Sequence, residues 1–359
     1  MGGVERNNAW VIEDDYDGEH RYVSRPLPAM ARKRTEIGER GRMNVRLCYD
    51  LVSAKRTTAM SRTLFIDSTP DIDRLWRRVH GPNDIPIAVN IGPVAENDIS
   101  KIIDGYDTVI NDATYFNEAA LMRCSGLKHI VFLGTGAASY IDLAAAARLG
   151  IKVSTIAGYG DTTVAEHAMG LVFAAARHIA TMHGIVRAGG WRPLQGMELK
   201  GKTLGVVGLG GIGREMVRIA QGVGLKAIAF NRSAISDAPV PMVAIDELLA
   251  RSDIVSLHLA LNDATRGFLD RAKLKRTKPG VIVINTARAG VVDEAALIDL
   301  LRSGHVGHYA TDVFAKEPTL QDEPLLKLDN VTLTAHAGYN TPEAAMTMYR
   351  RAIDLASAG

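Results

Sequence analysis

The chain has 359 residues, 47% hydrophobic and 23% charged, with a formal net charge of +2. This is an ordinary soluble globular profile, long enough for two domains, and nothing in it suggests a polyanionic partner such as nucleic acid. The two cysteines, Cys48 and Cys124, make neither a disulfide framework nor a metal-ligand cluster, no apolar run reaches the ~20 residues of a membrane span, and the opening "MGGVERNNAW" has no apolar signal core. The expectation is a cytoplasmic protein with no membrane partner and no bound metal.

In chain order the first feature is "WVIEDDYDGEHRY" (10–22), followed by "RPLPAM". These residues resemble a fragment of a PLP-dependent aminotransferase-like domain of the kind fused to MocR-type regulators. The resemblance implies an Asp under the pyridine nitrogen of PLP. It stops near residue 30, and no Schiff-base lysine motif follows. A strand and loop without their sheet cannot bury an apolar side or hold PLP. Residues 31–46, "ARKRTEIGERGRMNVR", are polar, basic and aperiodic, which predicts a linker; Met43 and Met60 are possible internal starts. Residues 1–59 are therefore expected to be a weakly ordered extension, a fused remnant or the product of an upstream start.

From Met60 onward, short apolar runs alternate with helical patterns, the signature of βαβ units and parallel sheets. The predicted order is strand "TLFID" (63–67), helix "DIDRLWRRV", strand "IPIAVNI", helix "AENDISKIID", strand "DTVIN", strand "LKHIVFLG", helix "IDLAAAARLG" and strand "IKVSTI". One long apolar helix is predicted over 164–189. A second series starts at "KTLGVVGLGGIG" and adds strands at 226–230, 254–259, 281–285, 309–313 and 331–335. The fold class is α/β with two doubly wound lobes. The domains read as a flavodoxin-like substrate domain (60–161 and 339–359) and a Rossmann NAD(P)-binding domain (162–338).

Gly208, Gly210 and Gly213 form G-x-G-x-x-G after a strand and at the start of the helix "REMVRIAQGVG". In that context the motif predicts a dinucleotide cradle, in which Gly208 allows the tight turn, Gly210 admits the pyrophosphate, and Gly213 lets helix and strand pack closely. Gly211 and Ile212 lie at the helix N-terminus, where free N–H groups face an anion. The next strand ends in Asn231-Arg232-Ser233, with no carboxylate to repel a 2′-phosphate. Arg232 offers a fixed charge and a donor fork, so NADP(H) is expected over NAD(H).

Three more segments stand at strand ends: "NTARAGVVDEAAL" with Arg288, "ATDVFAKEP" with Asp312 and Glu317, and "TAHAGYNTPE" with His336. Reducing a 2-oxo acid needs a proton donor for the carbonyl oxygen and a clamp for the carboxylate. His336 suits the first task, Glu317 can hold its imidazole and favour the protonated form, and Arg288 suits the second. With the glycine motif and "VAEHA", these segments resemble the D-isomer-specific 2-hydroxyacid dehydrogenases over about residues 60–359. The resemblance implies the same three roles, a coenzyme-side place for Asp312 near the nicotinamide, and a homodimer joined through the coenzyme domains. It also makes Thr135 and Gly136, in "GTGAASYID", the substrate-carboxylate loop.

That loop departs from the family pattern: the usual Asp-Asn is absent and it is one residue longer. "HLALND" lacks a common proline. Substrate identity therefore stays open among glyoxylate, hydroxypyruvate, phenylpyruvate and 3-phosphohydroxypyruvate types. The leading expectation is an NADP(H)-dependent 2-oxo acid reductase of the glyoxylate/hydroxypyruvate kind. An NAD-dependent D-3-phosphoglycerate dehydrogenase-like enzyme and a non-catalytic nucleotide-sensing protein are alternatives. A formate-oxidising branch is disfavoured, because it places glutamine where this chain has Glu317. His167 and His258 are expected to be structural.

Overall fold

The computed structural model describes residues 62–319 and 321–358. The expected extension 1–59, with its aminotransferase-like stretch and Cys48, lies outside the described residues.

The apolar runs form two all-parallel sheets. The first contains β1 (Thr63–Ser68), β2 (Ile87–Ile91), β3 (Thr108–Asn111), β4 (His129–Phe132) and β5 (Lys152–Thr155), in the spatial order β2-β1-β3-β4-β5. That is the flavodoxin-like order, with its switch point between β1 and β3. The second contains β6 (Thr203–Val207), β7 (Lys226–Phe230), β8 (Ile254–Leu257), β9 (Val281–Asn285), β10 (Val306–Thr311) and β11 (Val331–Leu333), ordered β11-β10-β9-β8-β6-β7. Its switch point lies between β6 and β8. A parallel bridge from Ala229 to Met242 marks a vestigial strand outside β7.

The strand sequences explain their burial. β1, β3, β4, β8 and β9 are buried at every position, as expected for strands covered by helices on both faces. On one face of the second sheet, helices Asp161–Ala176 and Gly211–Gly222 bring Ala168, Val172, Met216 and Val217 onto Leu204, Val206 and Ile284. On the other face, helix Glu294–Arg302 packs Leu297 and Leu301 on Val283. The C-terminal helix Pro342–Ser357 returns to the first sheet, where Tyr349, Ala352 and Ile353 pack with Phe65, Trp76 and Val131. Thr341 caps that helix by accepting from Ala344 N–H, with Pro342 at its first position.

Two predicted helices differ from expectation. "AENDISKIID" divides into a 3₁₀ turn, Glu96–Asp98, and a short helix, Ile99–Ile102. The predicted long helix 164–189 is two helices, Asp161–Ala176 and Ile179–Arg187, bent by 64°. The break has a backbone cause. The Ala176 carbonyl accepts from the Met197 N–H at 2.7 Å, so a returning segment takes the bond that would continue the helix. His178 then turns the chain in the left-handed region, at φ 52°. Hydrophobic periodicity carries no record of such a long-range cap. No single helix among the described residues is long and apolar enough to cross a membrane.

Candidate active site

Both sheets present their C-terminal strand ends to one cleft. The loops after β6, β9 and β10 and the loop after β11 reach it from one lobe, and the loops after β4 and β5 reach it from the other. Its walls include Thr135, Tyr159, Ile212, Arg288, His336 and Tyr339.

The glycine turn is close-packed at some positions and open at one. Gly208 has φ +98°, and a Cβ there would lie 2.6 Å from the His258 carbonyl oxygen. A Cβ on Gly213 would lie 2.1 Å from the Gly208 oxygen, and one on Gly211 would lie 1.8 Å from Asp161 Oδ2. Gly210 is different: nothing stands within 4 Å of where its Cβ would be. It precedes the helix Gly211–Gly222, whose N-terminus has no side-chain cap. An open cradle in front of uncapped N–H groups fits a dinucleotide pyrophosphate. Ile212 lines the cleft beside it.

At the end of β7, Asn231 Oδ1 faces the Leu209 N–H at 3.4 Å and Asn231 Nδ2 donates to the Ser233 carbonyl at 3.0 Å. Asn231 thus braces the glycine turn against the β7 loop. Arg232 and Ser233 are exposed, and neither side chain has a hydrogen bond or ion pair among the described residues.

His336 follows β11 in a left-handed conformation, φ 51°. Its Nδ1–H donates to Glu317 Oε2 at 2.5 Å, and Glu317 Oε1 accepts from the Phe314 N–H at 2.8 Å. The Tyr339 ring stands edge-on to the imidazole, with centroids 6.2 Å apart. These contacts fix the tautomer and the ring plane, leaving Nε2 without a protein partner among the described residues. Arg288 lies across the cleft. Its Nη1 donates to the Ala287 carbonyl at 2.7 Å, and Asn285 ties the loop by donating to the Arg288 carbonyl at 3.1 Å. Gly136 meets the other end of the guanidinium, because a Cβ there would lie 3.3 Å from Arg288 Nη2. Thr135 is exposed beside it.

Asp312 is only 2% exposed, yet its carboxylate collects four donors. Oδ1 accepts from the Thr334 hydroxyl at 2.6 Å and the Ala337 N–H at 2.9 Å, and Oδ2 accepts from the Gly338 N–H at 2.8 Å. His167 Nε2 is 3.4 Å from Oδ1 and 2.9 Å from Thr334 Oγ1. The one hydroxyl proton of Thr334 goes to Asp312, so His167 Nε2 is the protonated nitrogen. Burial pushes the Asp312 carboxyl up, but His167, Thr334 and the two backbone donors outweigh it and bring it down to about 2. Asp312 also takes up the loop on both sides of His336, whose own N–H donates to the Asp312 carbonyl at 2.9 Å. It is therefore a strut beneath the His336 loop as well as a wall of the cleft.

His167 and Thr334 were not legible as partners of Asp312, although "VAEH" and "TAH" are the segments that carry them. Tyr159, Asp161 and Tyr339 also line the cleft unpredicted; each lies within a few residues of a recognised motif. His258 is held by Ser256 Oγ at 2.9 Å, and burial lowers its pKa to about 4.

Residues 169–338 match the family model for the NAD-binding domain of D-isomer specific 2-hydroxyacid dehydrogenases. The chain is 40% identical to a hydroxypyruvate reductase of Thermotoga maritima over 255 residues, 69% of this chain and 83% of that protein. It belongs to the D-isomer specific 2-hydroxyacid dehydrogenase family. A D-3-phosphoglycerate dehydrogenase of Archaeoglobus fulgidus is 35% identical over 272 residues, 74% of this chain but 51% of its own length. This dehydrogenase thus matches about half of that longer protein. Among solved structures, a pyruvate reductase of Chlamydomonas reinhardtii superposes with a TM-score of 0.72 at 28% identity, over 83% of this chain and 96% of the other.

Membership fixes the broad chemistry. The dehydrogenase interconverts 2-oxo and 2-hydroxy acids with a nicotinamide dinucleotide, and the Gly210 cradle suits that coenzyme's pyrophosphate.

Proposed function

We propose that the enzyme is an NADP(H)-dependent reductase of small 2-oxo acids of the glyoxylate and hydroxypyruvate type. The observation that carries this reading is the His336–Glu317 pair facing Arg288 across one cleft. Residues 60–161 and 339–359 are assigned to the substrate domain and 162–338 to the coenzyme domain.

Arg288 pairs its guanidinium with the substrate carboxylate and the carbonyl oxygen, stays charged throughout, and stabilises negative charge as it gathers on that oxygen. The backbone N–H groups at Thr135 and Gly136 hold the carboxylate from the other lobe. His336 Nε2 delivers a proton to the carbonyl oxygen in reduction and removes it in oxidation. Glu317 keeps Nδ1 protonated and the ring fixed. The bound coenzyme supplies or accepts the hydride. Asp312, through Ala337 and Gly338, keeps His336 in place. The exposed Arg232 at the end of β7 supports a 2′-phosphate, and the absence of an acid there supports it further.

A homodimer is part of the proposal. Phe173, Ile179, Val186 and Trp191 are 39%, 51%, 53% and 88% exposed around the bent helix pair, an apolar surface suited to a second copy. We place the enzyme in the cytoplasm. A panel of 2-oxo acids, assayed with NADPH and NADH in parallel, tests the function. Turnover of glyoxylate or hydroxypyruvate with NADPH is expected. A D-3-phosphoglycerate-type activity with NAD is the second reading, favoured by the Archaeoglobus relative.

A further inference from the structure

We infer that the Asp161 carboxylate opposes the coenzyme's pyrophosphate and holds coenzyme affinity down, so that spent coenzyme is released. The inference concerns the coenzyme alone and holds whichever 2-oxo acid is reduced.

Asp161 is the first residue of the helix Asp161–Ala176, directly after the loop that follows β5. It is half-buried and lines the cleft together with Ile212, Arg288 and His336. Its carboxylate reaches across to the glycine turn. Oδ2 fills the space in which a side chain on Gly211 would begin, 1.8 Å from where that Cβ would be. Gly211 is the first residue of the helix Gly211–Gly222. The Cα–Cβ bond of a helical residue tilts toward the helix N-terminus. The carboxylate therefore stands on the N-terminal side, where the free N–H groups point. It does not cap them, because that helix end accepts no side-chain cap.

Asp161 has no hydrogen bond or ion pair among the described residues. One guanidinium approaches it: Arg351 Nη1 and Asp161 Oδ2 each lie 3.4 Å from where a Cβ on Gly158 would be. The two make no ion pair, and Arg351 donates to the Ala157 carbonyl. In the free enzyme the positive end of the helix dipole favours the carboxylate. A pyrophosphate accepting from the same N–H groups brings further negative charge beside it, in a cleft partly shut off from water. Like charges this close weaken binding by about an order of magnitude.

Shape and charge thus act in opposite directions at one turn. The open space at Gly210 admits the pyrophosphate, and Asp161 resists it. A neutral donor in place of the carboxylate would hold the phosphates instead. Turnover needs the spent coenzyme to leave in every cycle, and product release limits many enzymes.

The test is fluorescence titration of NADPH and NADH, with displacement kinetics, on the wild type, Asp161→Asn and Asp161→Ser. ADP-ribose, which carries the pyrophosphate without nicotinamide, and adenosine, which carries no phosphate, serve as competitors. Both variants should bind NADPH, NADH and ADP-ribose about tenfold more tightly, mostly through slower dissociation, and adenosine as the wild type does. The gain should shrink as salt rises from about 0.05 to about 0.5 M, because screening removes the repulsion in the wild type. Asp161→Glu keeps the charge and should gain nothing. Unchanged coenzyme binding in the two neutral variants would overturn the inference. Weaker binding would overturn it too, and would make Asp161 an acceptor for a coenzyme hydroxyl. A gain shared by adenosine, or one indifferent to salt, would also overturn it, since an altered loop and not a lost charge would be the cause. A wild type that binds no dinucleotide would overturn the coenzyme assignment along with it.

Discussion

His336 Nδ1 and Glu317 Oε2 lie 2.5 Å apart, and the other Glu317 oxygen is tied to the Phe314 N–H at 2.8 Å. The carboxylate is thus anchored to the backbone of one strand end while it orients an imidazole on another. His336→Ala should lower turnover by roughly 10²–10⁴-fold, because proton delivery to the carbonyl oxygen is lost. Coenzyme affinity should hardly change, since the glycine turn and the β7 loop lie elsewhere. Glu317→Gln keeps a hydrogen-bonding partner and removes the charge, so its loss in kcat should be smaller. Turnover and NADPH titration together check this, and full activity in His336→Ala would move the proton transfer to another group.

The glycine turn separates binding from folding. Gly210→Ala meets nothing within 4 Å, whereas Gly213→Ala drives a methyl to 2.1 Å from the Gly208 oxygen. Gly210→Ala should therefore keep the thermal midpoint and weaken coenzyme binding, by intruding on the cradle. Gly213→Ala should lower the midpoint by several degrees, a loss of ~1–3 kcal/mol typical of an overpacked contact. Thermal scans with and without coenzyme distinguish the two. Equal midpoints for both variants would contradict the geometry.

Arg232 stands exposed where the ribose of a coenzyme bound in the cradle is expected. Arg232→Asp should turn preference toward NADH, lowering the NADPH-to-NADH ratio of kcat/KM by about tenfold or more, since a carboxylate repels a 2′-phosphate and accepts from a 2′-hydroxyl. A parent enzyme that already prefers NADH would remove the basis of the NADP(H) proposal.

Much of this architecture was readable from local pattern. The strands at 226–230 and 281–285 match the prediction residue for residue, because a buried parallel strand is a short apolar run with sharp polar ends. The G-x-G-x-x-G turn was legible for a related reason: Gly208 and Gly213 answer close steric demands, and Gly210 leaves the cradle open. What escaped was set by contacts distant in sequence. The helix break at Arg177–His178 depends on Met197 N–H, and the His167–Thr334–Asp312 chain joins residues 22 to 167 positions apart.

The depressed carboxyl of Asp312 makes a prediction about acid stability. Its pKa falls from 3.8 to about 2 in the folded protein, because burial is outweighed by His167, Thr334 and the Ala337 and Gly338 N–H groups. A carboxyl whose pKa is lowered by folding contributes stability above its unfolded value, and that contribution disappears as pH falls through the folded value. The window is therefore pH 4 down to pH 2, and the contribution at neutral pH is about 2 kcal/mol. Asp312→Asn should lower stability at pH 7 by about that amount and flatten the pH dependence within this window. It should also lower kcat, because the Ala337–Gly338 turn that holds His336 loses one of its two acceptor oxygens. Urea unfolding at a series of pH values, for wild type and Asp312→Asn, reads the first effect, and kcat at pH 7 reads the second. Parallel stability curves across pH 4 to 2 would show that Asp312 is not the titrating strut described here. A variant destabilised as expected but with unchanged kcat would show that the His336 loop holds its place without it.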